Sequence, residues 1–109
     1  MPEIAEVRVV RDVLRKQIIG KRITDIKVFY SGIIEGSTLQ FQNKLQNMIF
    51  TDVKSNGKWL IFELGDISFL SHLRMEGKYF YVPSNTPYKK HEHVVFVLDN
   101  GMEIGRAHV

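Results

Sequence analysis

The chain contains no cysteine. Disulfides and cysteine-ligated zinc are therefore excluded within it. No apolar run is long enough to cross a bilayer as a helix. The first residues carry charge at Glu3, Glu6 and Arg8, which does not suit a signal peptide. A cytoplasmic location is the default expectation. The sequence has no P-loop, GxGxxG, nucleophile elbow or HExxH. Nor does it show an internal repeat, a low-complexity tract or a domain linker.

What remains is ordinary in bulk. The 109 residues suffice for one domain with a real core, and 44% hydrophobic with 25% charged residues fit a soluble globular protein. The net charge of +3 and pI of about 9.3 suit an acidic partner such as nucleic acid. That sign is weak alone, since many basic proteins bind no nucleic acid.

The amino terminus is more specific. In Met1-Pro2-Glu3-Ile4-Ala5-Glu6-Val7, removal of Met1 leaves Pro2 as a secondary amine. An α-amino group titrates near pH ~8, so a useful fraction is unprotonated and nucleophilic at neutral pH. Such an amine can attack an aldehyde carbon to form an iminium, with Glu3 and Glu6 at hand to move protons. The plainer reading makes Glu3 and Glu6 first-turn acids opposing a helix dipole.

Ile4, Val7, Val10, Leu14 and Ile18 recur at helical spacing, predicting an amphipathic helix over 3–19 that stops at Gly20. Its amino end would set Pro2 and Glu3 beside N–H groups that favour anions. A strand is predicted over 21–30 and a loop over 31–36. A second helix near 38–47 opens on the capping-box pattern of Ser37 and Gln40. From 49 onward the pattern is of strands near 49–54, 58–64, 67–73, 78–82 and 93–98, with another beginning at Met102. Turns fall at Ser55-Asn56-Gly57, Gly65-Asp66 and Asp99-Asn100-Gly101, and a polar loop covers 83–90. The fold class expected is mainly β with α: an antiparallel β-sandwich flanked by two helices.

Several residues invite a chemical reading beside a bland one. Lys58, at the head of a strand, can meet a phosphate or donate a proton, or be a solvated lysine. Arg74 can contact a phosphate, and Met75 can be an exposed wedge that enters a base stack; the alternative is a surface arginine beside a core methionine. Lys89, Lys90, His91 and His93 can contact phosphate or form a solvated patch. His91 and His93, two apart on a strand, would share a face, but two ligands do not make a metal site. Tyr79, Phe80, Tyr81 and Tyr88 can stack on bases, although such a run usually packs in a core or along an edge.

Taken together the motifs resemble one family, the bacterial formamidopyrimidine-DNA glycosylases and their endonuclease VIII relatives. The resemblance rests on Met-Pro-Glu-x-x-Glu-Val opening a helix, Lys58 in a strand-leading turn, and His72-Leu73-x-Met75-x-Gly77. Lys90-His91-x-His93-Val94 and Asn100-Gly101 complete it, in order across residues 1 to about 104. Ile4, in place of glycine, leans toward the formamidopyrimidine branch. The resemblance implies the amino-terminal catalytic β-sandwich of a base-excision repair enzyme that acts on oxidised bases, chiefly purines such as formamidopyrimidines and 8-oxoguanine. Such enzymes flip the damaged nucleotide out of the duplex.

By carry-over, Pro2 attacks the sugar C1′, expels the base and holds an iminium. Glu3 donates and accepts protons around the sugar, with Glu6 beside it. Lys58 assists strand cleavage and touches phosphate. His91, with Lys90, His93 and Arg74, binds the DNA backbone, and Met75 fills the gap left by the flipped base. The expected partner is damaged double-stranded DNA, with no membrane, and the chain is expected to be a nucleoid-associated cytoplasmic monomer of bacterial type. No cofactor is expected in this chain; zinc belongs to the carboxy-terminal finger of full-length relatives.

Two mild departures are Ala5, where the family usually has proline, and basic Arg8. A larger one follows Asn100-Gly101, where the family continues through a strand into Asp-x-Arg-x-Phe-Gly. Here the chain reads Met102-Glu103-Ile104-Gly105-Arg106-Ala107-His108-Val109. The expectation is a catalytic domain over 1–104 and a divergent tail over 105–109, left by truncation, a frameshift or vector sequence. The fragment is expected to be weak or inactive. The other readings are a non-catalytic β-sandwich that binds nucleic acid or protein, and a metal-binding domain using His91 and His93.

Overall fold

The computed structural model describes residues 3–74 and 77–108. Helix α1 (Ile4–Ile18) leads into β1 (Ile23–Val28), a single 3-10 turn at Ser31–Ile33, and helix α2 (Thr38–Leu45). Six strands follow: β2 (Asp52–Asn56), β3 (Trp59–Leu64), β4 (Ile67–His72), β5 (Gly77–Pro83), β6 (Glu92–Leu98) and β7 (Met102–His108). They form a four-stranded sheet, β1-β6-β7-β5, and a three-stranded sheet, β2-β3-β4, with antiparallel pairing throughout. This is the helix-flanked antiparallel sandwich that the alternation predicts.

The apolar stripe of α1 buries Val7, Leu14 and Ile18, while Ile4 at its amino end stays 41% exposed. Gly20 ends the helix in the left-handed conformation (φ +85), and its N–H donates to the Phe50 carbonyl at 2.8 Å. Arg11 Nη1 donates to Ser55 Oγ at 3.0 Å, and Arg15 Nε to Asp52 Oδ1 at 3.1 Å. Partner numbers on β2 fall as helix numbers rise, so α1 runs antiparallel to β2. Its amino end is therefore directed toward the β2–β3 turn.

Three details differ from the sequence expectation. β2 begins at Asp52 rather than Ile49, because the chain turns at Asn47 (φ +67) and residues 48–50 lie along 21–23 instead. Ile23 N donates to Met48 O at 2.8 Å and Phe50 N to Lys21 O at 3.0 Å there. Lys58 is a turn residue: Asn56 pairs with Trp59, leaving Gly57 and Lys58 as a two-residue loop. Gly57 has φ +59 at the first central position, where a type II′ turn requires glycine. Gly77 opens β5 instead of breaking the chain before it.

Ser37 Oγ accepts from Gln40 N at 3.2 Å, the N-cap half of the expected box. Between the sheets lies an aromatic core, with Phe62 stacked on Phe69 (4.7 Å) and Phe69 on Phe96 (5.6 Å), and with Phe50 and Phe41 edge-on to the group. Tyr79 joins this core, 5.5 Å from Phe62, and Tyr81 packs against it on the same face of β5, while Phe80 between them faces the other way. Strand β7 lies between β6 and β5 and continues unbroken through residue 105 to His108.

Candidate nucleic-acid interface

One end of the sandwich gathers the chemistry-bearing residues. Antiparallel pairing brings together the start of β3, the end of β4, the start of β5, the start of β6 and the end of β7. Trp59 pairs with His72, Gly77 with His108, and Glu92 with Ala107. The Gly57–Lys58 turn adjoins Trp59, whose ring meets His72 edge-on at 4.9 Å. Beyond β4, Arg74 takes a left-handed conformation (φ +59), held by its N–H donating to His72 Nδ1 at 2.9 Å. His91 precedes β6, also left-handed at φ +78, and its carbonyl accepts from His108 N at 3.0 Å.

Arg106 joins these pieces. Strand alternation puts it on the inner face with Ile104, and it is 7% exposed. Nη1 lies 3.0 Å from His93 Nδ1, and Nη2 donates to the carbonyls of His72 (3.0 Å) and Leu73 (3.3 Å). One side chain thus links β7, β6 and the end of β4. Burial lowers the pKa of Arg106, and burial first, then the Arg106 charge, lowers that of His93. Tyr79, whose hydroxyl shares a 2.6 Å hydrogen bond with Ser71, is pushed up to about 12 by burial. A cavity of about 610 Å³ has Phe69 and Tyr79 of the core in its lining together with Trp59, His72, Arg74 and Arg106.

The residues singled out in the sequence fall as follows. Glu3 is exposed at the N-cap of α1 and makes no side-chain cap hydrogen bond, and Glu6 is exposed in the first turn. The direction of α1 sends both toward the Lys58 turn. Lys58 is partly buried, Lys90 and His91 are exposed, and His93 is partly buried between Tyr30 (ring centroids 5.3 Å) and His108 (6.2 Å). Pro2 and Met75 lie outside the described residues.

His91 stands ahead of β6 and a bulge separates Glu92 from Val94, so strand alternation does not place His91 and His93 on one face. Among the described residues no group of three or more His, Asp or Glu is arranged to hold a metal. None of their helices is long and apolar enough to cross a membrane. Sequence reading passed over Arg106. Arg106 falls in the stretch 105–109 expected to be a divergent tail, and its only signal is a charged residue two positions after Ile104.

Fold and site define a helix-flanked β-sandwich with one cationic, histidine-rich end. The family model described as formamidopyrimidine-DNA glycosylase N-terminal domain matches residues 1–107. The chain belongs to that family. It is 40% identical over 109 residues to the formamidopyrimidine-DNA glycosylase of Lactobacillus delbrueckii subsp. bulgaricus, covering all of this chain and 40% of that protein. With the enzyme of that name from Streptococcus pneumoniae it shares 45% over 101 residues, 93% of this chain and 37% of the other.

Among solved structures, the Lactococcus lactis Fpg bound to DNA containing an abasic site superposes with a TM-score of 0.95 at 34% identity, over 99% of this chain and 40% of that one. MutM in complex with DNA containing carbocyclic 8-oxo-G gives 0.95 at 36%, over 99% and 41%. The chain thus spans about two fifths of the length of the curated relatives it matches.

Proposed function

We propose that this chain is the catalytic domain of a DNA glycosylase that removes oxidised bases, chiefly purines, and cleaves the resulting abasic site. The observation that carries the reading is the convergence at one end of the sandwich. The amino end of α1 is directed toward the Lys58 turn, and that turn is continuous with His72, Arg74, His91 and His93. The family membership supports it, as does the binding of damaged or abasic DNA by the similar solved proteins.

In this reading the neutral Pro2 nitrogen attacks C1′, and the base leaves with the electrons of the glycosidic bond. The nitrogen then loses its proton and the C1′–O4′ bond opens, O4′ taking up a proton, to leave an iminium that acidifies the C2′ proton. Its removal expels the 3′ phosphate, so one amine serves both base release and strand scission. Glu3, exposed and not engaged in capping, exchanges protons with the sugar, with Glu6 one helical turn away. Lys58 assists elimination and contacts phosphate. Lys90, His91, His93 and Arg74 hold the backbone, and Met75 enters the space left by the flipped nucleotide. The domain takes up damaged duplex as a monomer and needs no cofactor of its own.

Borohydride trapping on a duplex with an abasic site tests this. Reduction of the iminium leaves a stable amine, read by intact mass and peptide mapping. The expected result is an adduct on Pro2 when Met1 has been removed. Pro2→Gly, which loses the ring that fixes the nitrogen, abolishes it. Duplex binding by Met1-free chain with no adduct would overturn the catalytic reading in favour of a binding module.

A further inference from the structure

We infer that Arg106 is a positioning residue for this end of the sandwich: it fixes His93 in the tautomer that carries its proton on Nε2, and it clamps the carbonyls from which the Arg74 turn departs. The inference deepens the proposed function and rests on it for its DNA-binding consequence, but its geometric part stands alone.

A guanidinium offers only donors. The 3.0 Å contact between Arg106 Nη1 and His93 Nδ1 therefore requires Nδ1 to accept and to carry no proton. The ring proton then sits on Nε2. A doubly protonated His93 would lose this bond and set two cations together. The charged or titratable groups around the ring are Arg106 and His108 from β7 and His91 ahead of β6, with the Tyr30 ring packed on its side. Every titratable neighbour disfavours the charged imidazole. His93 is thus a neutral Nε2–H donor, suited to a phosphate oxygen through direction rather than charge.

The other half of the guanidinium acts on the turn. The His72 carbonyl receives one Nη2 bond, and the Leu73 carbonyl receives a second beside the N–H of Gly77 at 2.8 Å. A Cβ at residue 77 would come within 2.2 Å of the Leu73 oxygen and 2.7 Å of Arg106 Nη2. Glycine at 77 is thus the residue that admits the clamp. Through it the position of Arg74, already left-handed and bonded to His72 Nδ1, is coupled to the orientation of His93.

The decisive measurement is the ring-nitrogen NMR spectrum of His93 across pH, in the wild-type 109-residue chain and in Arg106→Gln and Arg106→Lys. The wild type is expected to show an unprotonated Nδ1 and protonated Nε2 at pH 7, with titration below that of a free imidazole. Arg106→Gln should mix the tautomers and return the titration upward. Arg106→Lys, whose donors all sit on one nitrogen and cannot span the three acceptors that Nη1 and Nη2 share, should retain the tautomer and release the turn, seen as faster amide exchange at Arg74 and Gly77.

In binding to an abasic duplex, Arg106→Gln should lose about tenfold, the scale of one positioned hydrogen bond, with an unchanged salt slope. A proton on His93 Nδ1 in the wild type at pH 7 would overturn the inference, even if both variants fail to fold. So would an unaltered tautomer in a folded Arg106→Gln. If the chain shows the expected tautomer but binds no DNA, the proposed function fails and the positioning role stands.

Discussion

The ring of Phe80 on β5 lies across the backbone of its paired residue Gly105 on β7, so close that a Cβ at 105 would fall 2.1 Å from Phe80 Cζ. Strand β7, one of the two inner strands of the larger sheet, is therefore fitted to an aromatic neighbour on its outer face. Gly105→Ala must displace the ring or the strand, and overpacking of this kind costs about 1–3 kcal/mol. Denaturant unfolding should show that loss. In a Phe80→Leu background the same substitution should cost less, giving a coupling energy in a double-mutant cycle. Strict additivity would mean that the ring is not what excludes the methyl group.

Two residues earlier on the same face, Glu103 is 1% exposed, and neither carboxylate oxygen has a hydrogen-bond partner among the described residues. Burial raises its pKa and the Glu92 charge adds to that, against the opposing charge of Lys27. A carboxyl whose folded pKa is raised binds more protons folded than unfolded between the ordinary value and the raised one. Its contribution to stability is therefore present in acid and lost as pH rises through that window. Glu103→Gln should stabilise the chain at pH 7, where the buried carboxyl would otherwise have to carry its charge without a hydrogen-bond partner among the described residues. The gain should vanish near pH 4. Equal effects at both pH values in thermal unfolding would show that the carboxyl is not titrating between them.

Lys90 is exposed at the histidine-rich end, whereas exposed Lys16 lies in the last turn of α1, whose direction takes it away from that end. If phosphate contact is confined to the proposed interface, Lys90→Ala should weaken duplex binding regardless of sequence. It should also reduce the slope of log K against log salt by about 1. Lys16→Ala should leave the slope unchanged. Similar losses from both lysines in titrations at several salt concentrations would point to a diffuse field instead.

The fold was legible because its signals are local. Periodicity at Val7, Leu14 and Ile18, the Ser37 cap, and the glycines at 57, 65 and 101 each declare a helix face, an end or a turn without reference to distant residues. The strand boundary near Ile49 was misread because Met48–Phe50 satisfy their hydrogen bonds with Lys21 and Ile23, a choice made by tertiary pairing. Of the site, Lys58, His91 and His93 could be marked from residue type and order. Arg106 could not. Its role comes from three acceptors on two other segments, and a single arginine in a strand carries no sign of them. Gly77 likewise reads as a breaker, whereas in the fold it opens β5 and gives room to a guanidinium.

The state of the amino terminus decides whether any of this end is chemically active. With Met1 in place the Pro2 nitrogen is a tertiary amide, its lone pair delocalised into the carbonyl, and it can neither attack C1′ nor form an iminium. Neither the Glu3 carboxylate nor the Lys58 turn can compensate, since both act on an intermediate that never forms. A preparation retaining Met1 should therefore give no borohydride adduct at Pro2, however well it folds and binds, while the processed chain gives one. In a mixed preparation the adducted fraction should not exceed the processed fraction in the intact mass spectrum. Adduct on chains that keep Met1 would move the nucleophile to another amine, and Lys58 would be the first residue to map.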